Sequence, residues 1–192
     1  EAREAFFSRG ILPEFAKKPA PEMELRLQAA IATREGNLAE AYELLQRAEE
    51  ARPHLSGKCN GKDFDDFRDV DDLCRSVLEV LCTDGKYYWL SYEDLESVEF
   101  VPAQRWRDSL WREVKLPKHQ SPPGQLFVPL LYPGSFAAEQ EALRMGRETY
   151  WIGNEGEPIR GVGQRMFLVG DEGVGLSQIN EITFQGIHAW PR

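Results

Sequence analysis

The hydrophobic pattern divides this chain into a helical front and a strand-rich remainder. From Glu22 to Ala51 apolar residues recur at helical spacing, with a break at Gly36-Asn37, which predicts two helices joined by a tight turn. In the second, Leu38, Ala41, Tyr42, Leu45 and Ala48 share one face, and Pro53 stops the helix. Further on, Val70, Leu73, Cys74, Val77, Leu78 and Leu81 form another helical stripe. That stripe predicts a helix over 69–81. Asp69 would cap it, Asp71 and Asp72 would lie in its favourable first turn, and Asp84-Gly85 would end it. Residues 56–68 between these blocks read as a polar loop.

After Gly85 the pattern turns to strands. Tyr87–Leu90, Ser97–Val101, Trp111–Leu116, Gln125–Leu131, Gln164–Val169 and Glu181–Phe184 each read as one. Pro129 marks an edge or a bulge in the fourth. Phe136–Thr149 reads as a modest helix, and Pro117–Gly124 as a loop. Helices first and strands after predict an α+β fold: a helical hairpin, then a mostly antiparallel β-rich domain with a few helices. The expected organisation is a linker or remnant of upstream helices over 1–21, where Pro13, Pro19 and Pro21 break any periodicity. The hairpin follows over 22–55 and the α+β domain over 56–192.

The hairpin has a tetratricopeptide-like spacing. Gly36, Ala41, Leu45, Ala48 and Pro53 fall where such a repeat places its small residues, its bulky contact and its terminal proline. Ala29 fits the small position of the first helix, while Gln28 stands where a Leu is usual. An ordinary helical hairpin is the plainer alternative. One repeat cannot bury its own face, so the hairpin docks on the remainder or follows earlier repeats.

Composition narrows the function classes. Apolar residues make up 42% and charged residues 29% of the 192, a globular balance. No apolar run approaches the ~20 residues of a membrane helix. The opening EAREAFFSRG has neither Met nor a signal pattern, which reads as a piece of a longer chain. The net charge of −9 argues against a general nucleic-acid binder, whose phosphate contacts come from Lys and Arg. Three cysteines, Cys59, Cys74 and Cys82, make no even disulfide framework and suit a reducing cytoplasm. With His54 they are too widely spread for a zinc site, and buried thiols are the better reading. A calcium loop in the Asp-rich stretch fails because Phe67 and Arg68 occupy a ligand position and the turn-glycine position.

Catalytic motifs are incomplete. Gly175-Leu176-Ser177-Gln178-Ile179 lacks the last glycine of a nucleophile elbow. His54, His119 and His188 show no partner in sequence, and a hydrolase ranks third among the readings. Gly161-Val162-Gly163 is followed by a strand pattern with Met166 in place of a third glycine, so a plain turn is favoured over a phosphate loop. A small-molecule or nucleotide-binding regulatory module built on Gly161–Arg165 and the Trp111 segment is the second reading. Arg105–Arg112 interleaves Arg with Trp, which suits a structural corner or a protein contact, with base stacking less favoured by the charge.

Several motifs in order resemble the ImpE family, whose members are also called TagJ or SciE. They are Asp69–Leu81 with Gly85-Lys86-Tyr87-Tyr88-Trp89, then Leu95–Phe100, then Arg107-Asp108-Ser109-Leu110-Trp111. Tyr132-Pro133-Gly134-Ser135, Ala142–Arg147 and Gly161–Met166 complete the set, and the resemblance covers about residues 22 to 184. The resemblance implies a cytoplasmic, non-enzymatic accessory protein of bacterial type VI secretion, with no cofactor. It implies tetratricopeptide-like helices joined to an α+β domain. It further implies binding to an N-terminal helical segment of the sheath small subunit, TssB, and a link to the disassembly ATPase ClpV. An amphipathic partner helix needs aromatic anchors. Tyr87, Tyr88, Trp89, Trp111 and Tyr132, with Arg107 and Arg165, are the candidate partner-binding residues. On a strand Tyr88 and Leu90 would face one side and Tyr87 and Trp89 the other, with one set expected in the core and the other free. The tail Gly186–Arg192 matches no motif.

Overall fold

The computed structural model describes residues 1–185, the side chain of Trp106 excepted. The tail Gly186–Arg192, with His188, lies outside the described residues.

Three helices open the chain: α1 (Ala2–Arg9), α2 (Pro21–Arg34) and α3 (Leu38–Ala51). Pro21 stands at the start of α2, where its missing N–H would be unbonded anyway. Gly36 takes the left-handed conformation, φ 82°, that turns the chain into α3. Ala29, Ala41 and Ala48 are fully buried, so the small residues at the hairpin seam let α2 and α3 approach closely. Residues 2–9 are helical because Ala5 and Phe6 bury against the sheet described next. Residues 10–20 carry only one bridge, Glu14 to Tyr88.

Then come β1 (Ser56–Cys59), β2 (Lys62–Phe64), β3 (Phe67–Asp69), β4 (Val77–Cys82), β5 (Tyr87–Ser91) and β6 (Ser97–Phe100). They are followed by α4 (Trp106–Leu110), β7 (Trp111–Lys115), β8 (Leu126–Pro129) and α5 (Glu141–Arg144). The chain closes with β9 (Thr149–Ile152), β10 (Arg160–Gly163), β11 (Met166–Val169), β12 (Glu172–Gly175) and β13 (Glu181–Gln185). The main sheet runs β2-β1-β13-β6-β7-β8-β4-β5. Two smaller ones, β12-β11-β3 and β10-β9, pack beside it, and every strand pair is antiparallel. The fold is therefore α+β with antiparallel sheets.

The helix expected over 69–81 is not formed. β3 ends at Asp69, a turn follows, and β4 begins at Val77. The aspartates that looked like helix caps instead hold the turn. Asp69 Oδ1 accepts the Asp71 amide at 2.9 Å, and Asp71 Oδ1 accepts the amides of Leu73 at 3.0 Å and Cys74 at 3.2 Å. Such local side-chain bonds compete with helical ones. Val77–Val80 is a continuous buried run because β4 lies between two cores, and such a run has no period that separates strand from helix. Leu78 and Val80 face the core inside the β layers; Val77 faces the helices.

The polar loop of 56–68 is a hairpin. Asn60 and Gly61 both have positive φ, 50° and 82°, the two-residue turn that Asn-Gly favours. Over 136–149 only α5 is α-helical. Gly146, φ 65°, ends it by donating to the Leu143 carbonyl at 3.1 Å, and β9 takes over at Thr149.

Candidate functional site

The sequence motifs converge on a buried lattice of charge. Arg165, between β10 and β11, has no exposure; its Nε and Nη2 donate to Asp69 Oδ2 at 3.0 and 2.7 Å, and its Nη1 to Glu79 Oε2 at 2.9 Å. Arg3 reaches down from α1 to grip both Glu79 oxygens, at 2.9 and 2.8 Å. Arg160 on β10 donates to Asp71 Oδ2 at 2.8 Å. Tyr132 donates its hydroxyl to Asp69 Oδ1 at 2.6 Å and accepts the Met166 amide at 3.0 Å. Tyr87 donates to Glu79, and Trp89 Nε1 donates to the Tyr87 oxygen at 2.6 Å. Three carboxylates thus meet three guanidiniums. Buried charges persist only when paired in this way.

The titration of these groups follows their surroundings. Burial pushes the Glu79 carboxyl up, but Arg3 and Arg165 more than offset it and hold it at about 2. Asp69 goes the other way: burial raises it, and Arg165 does not fully compensate. Burial raises the Tyr132 phenol, with Asp69 and Asp71 adding to it, and likewise the Cys74 thiol. The lattice also holds the Cys74 thiol, 3.9 Å from Glu79 Oε2. It ties α1, the main sheet and both small sheets together.

This burial decides where the candidate residues stand. Tyr87, Tyr88, Trp89, Tyr132 and Arg165 are all enclosed, at 7% exposure or less. Tyr88 and Leu90 sit in the β core, and Tyr87 and Trp89 in the core under the helices, where the Phe6 ring meets Trp89 edge-on at 4.8 Å. Both faces of β5 are core, so the expectation that one is free does not hold. The chain folds its own α1 over the face that would have been open. Gly161 is bare because the Tyr132 ring lies where its side chain would be, 2.2 Å from a built Cβ. Arg165, next in that motif, points into the lattice and not into an open pocket.

Trp111 and Arg107 remain exposed. Along β7, Arg112 and Val114 alternate inward, which turns Trp111 outward. It rims an open groove of about 360 Å³ between α1 and the segment after β8, lined by Phe7, Leu110, Pro129, Leu131, Pro133 and Phe136, with Arg3 and Arg144 among the polar residues. A second depression of about 340 Å³ shares Phe7, Pro133 and Phe136 and extends to Ile152. Trp111, Phe136 and Ile152 are 43%, 67% and 49% exposed, so the apolar surface is continuous and large side chains project from it.

Phe136 is placed by the Tyr-Pro-Gly-Ser turn. Gly134 supplies φ 79°, Ser135 donates its hydroxyl to the Tyr132 carbonyl at 2.7 Å and accepts the Gly163 amide at 2.8 Å. The ring after it is held out at the tip. Sequence reasoning missed Phe136 and Ile152; a large apolar residue straight after a tight turn was the available signal. Arg107 does not line the groove. Among the described residues no group of His, Cys, Asp and Glu could hold a metal ion, and no helix is long and apolar enough to cross a membrane.

An α+β domain whose central carboxylates and guanidiniums are engaged with one another, and whose exposed Trp111 and Phe136 rim one groove, has the make-up of a protein-interaction module. The model of the ImpE protein family matches residues 61–183, and the chain belongs to that family. It is 29% identical over 183 residues to the type VI secretion system accessory component TagJ of Pseudomonas aeruginosa strain PAO1, an alignment covering 95% of this chain and 63% of that protein. The chain thus spans under two thirds of the length of this curated relative. The crystal structure of protein VPA1032 from Vibrio parahaemolyticus superposes with a TM-score of 0.84 at 23% identity, covering 96% of this chain and 69% of that one, and shares the fold.

Proposed function

We propose that this chain is a non-enzymatic accessory protein of bacterial type VI secretion, working in the cytoplasm without a cofactor. It seats a helical segment of the sheath small subunit TssB and links that subunit to the ClpV ATPase. Membership of the ImpE family and similarity to an accessory component support the pathway. The observation that carries the mode of action is the groove rimmed by Trp111 and Phe136. An amphipathic helix lays its apolar face into such a groove, and exposed aromatics supply the anchors. Tyr132 lends the floor. Tyr87, Tyr88, Trp89 and Arg165 act from beneath, by holding the walls in place. Arg107 lies outside the groove, and its part is limited to steering the approach of an acidic segment. α1 and the domain from residue 56 act together, since α1 and the β8–α5 segment form opposite walls.

The test is isothermal titration with a peptide covering the N-terminal helix of TssB. Micromolar binding is expected, weakened at least about tenfold by Trp111→Ala or Phe136→Ala with the thermal transition unchanged. Absence of binding by the folded chain, or binding indifferent to both substitutions, refutes this mode.

A further inference from the structure

An open strand edge beside the groove points to a second partner. Among the described residues β9 pairs on one side only, with β10. The register sets Tyr150 against Val162 and Ile152 against Arg160. One step back along this ladder, the Gln164 amide donates to the Glu148 carbonyl at 2.9 Å. Antiparallel ladders alternate, so Tyr150 and Ile152 spend their backbone groups on β10, while Thr149 and Trp151 aim theirs at the open side.

Natural sheets guard such edges with charge, proline, bulges or cover. Three of the other edges, those of β2, β12 and β5, are guarded. β2 carries Lys62 and Asp63, and β12 carries Glu172 beside two glycines. β5 is covered by Glu14, whose amide bonds the Tyr87 carbonyl at 2.8 Å and whose carbonyl accepts the Trp89 amide at 3.1 Å. β9 reads Thr-Tyr-Trp-Ile, with neither charge nor proline, and exposes Tyr150 at 61% and Ile152 at 49% on one face.

We infer that β9 is a homodimer interface, pairing antiparallel with β9 of a second copy about a two-fold axis at Trp151. In that register the outward-facing groups of Trp151 meet those of Trp151 in the second copy. Tyr150 then lies opposite Ile152 of the second copy, an aromatic against a β-branched side chain, which is a favourable cross-strand pair. Exposed Arg147 comes to the end where exposed Glu155 of the second copy lies, and the two-fold repeats this contact. The neighbouring registers do worse. One sets Glu148 against Ile152, the other Tyr150 against Asn154. The apolar surface continues past Ile152 to Phe136, so the second copy also gains contact beyond the strand. A second copy is favoured over a foreign strand because this one segment supplies both halves of the charge and side-chain match.

Sedimentation velocity of the whole chain over roughly 5 to 500 µM reads the association directly. A reversible dimer is expected. Tyr150→Lys should raise its dissociation constant at least about tenfold without moving the thermal transition, since the side chain is exposed. Arg147→Glu should also weaken it, and Arg147→Glu combined with Glu155→Arg should restore it. A chain that stays monomeric throughout overturns the inference. So does a dimer unmoved by Tyr150→Lys, or an edge that takes up an added strand peptide while the chain stays monomeric.

Discussion

Replacing Arg165 by Met removes one guanidinium while nearly keeping the volume, so it isolates the charge. Glu79 would keep Arg3 and the Tyr87 hydroxyl. Asp69 would not be so protected. Its remaining partners are the Tyr132 hydroxyl and the Asp71 amide, both neutral, and its exposure is nil. Removing one partner of a buried ion pair costs about 3–5 kcal/mol, because the other charge stays behind. That is a large share of the roughly 5–15 kcal/mol by which a domain is stable. The Asp69 carboxyl already lies above its ordinary value because burial outweighs Arg165. Without Arg165 it must rise further. A carboxyl raised in the folded state favours folding at low pH and loses that favour as pH climbs through the raised value. The deficit of Arg165→Met should therefore be largest near neutrality and shrink toward mildly acid pH. Glu79 has the opposite sign. Held at about 2, it contributes stability above the ordinary glutamate range and loses it as pH falls toward 2. Urea unfolding of both proteins at several pH values between 7 and 4.5 reads the difference. A loss under about 1 kcal/mol at pH 7, or a deficit that grows on acidification, would refute the reasoning.

Two further substitutions test the packing. Trp89→Ala removes a buried indole that meets the Phe6 ring edge-on and donates to Tyr87; a loss of about 3–5 kcal/mol in denaturant unfolding is expected, and a loss under about 1 kcal/mol would mean that α1 does not close over it. Gly161→Ala drives a methyl into the Tyr132 ring and should cost about 1–3 kcal/mol, while Gly61→Ala has open space but an unfavourable φ of 82° and should cost about 1 kcal/mol; thermal unfolding ranks the two, and the reverse order would contradict the contact with Tyr132.

The sequence was legible where period and punctuation agreed. The α2–α3 hairpin follows from its stripes and the Gly36 break, and the strands beginning near Tyr87, Ser97, Trp111 and Glu181 from their composition. It misled where two physical devices share one pattern. The stripe from Val70 to Leu81 fits a helix, yet its second half is a strand buried on both faces and its first half a turn held by aspartate side chains. The Asn60-Gly61 turn carries a hairpin signal, but the strands it joins are three to four residues long and rich in charge, which reads equally as a polar loop. The aromatics of β5 were recognisable as important, but composition cannot say that α1 covers them. Phe136 and Ile152 went unnoticed because exposure depends on tertiary placement, which no local pattern encodes.

The placement of the family motifs carries a further consequence. Asp69, Asp71, Tyr132, Arg165 and the Tyr87-Tyr88-Trp89 run are among the residues that carry the resemblance, and each lies in the interior, whereas Arg107 and Trp111 of the same motif set are exposed. They build the frame: Asp71 holds Arg160 beneath one end of the groove, Tyr132 lies in its floor, and Glu79 anchors Arg3, hence α1, as its wall. Binding by this protein would then be lost in two distinguishable ways. Substitution at Trp111 or Phe136 removes contact area and leaves the frame. Substitution at Arg3 leaves every exposed aromatic in place but releases the wall, and with it the geometry that brings them together. The second kind of change should lower affinity together with the protection of α1 amides from hydrogen exchange, and the first kind affinity alone. If Arg3→Met weakened peptide binding while α1 kept its protection, Arg3 would be a direct contact and not the tie that holds the wall.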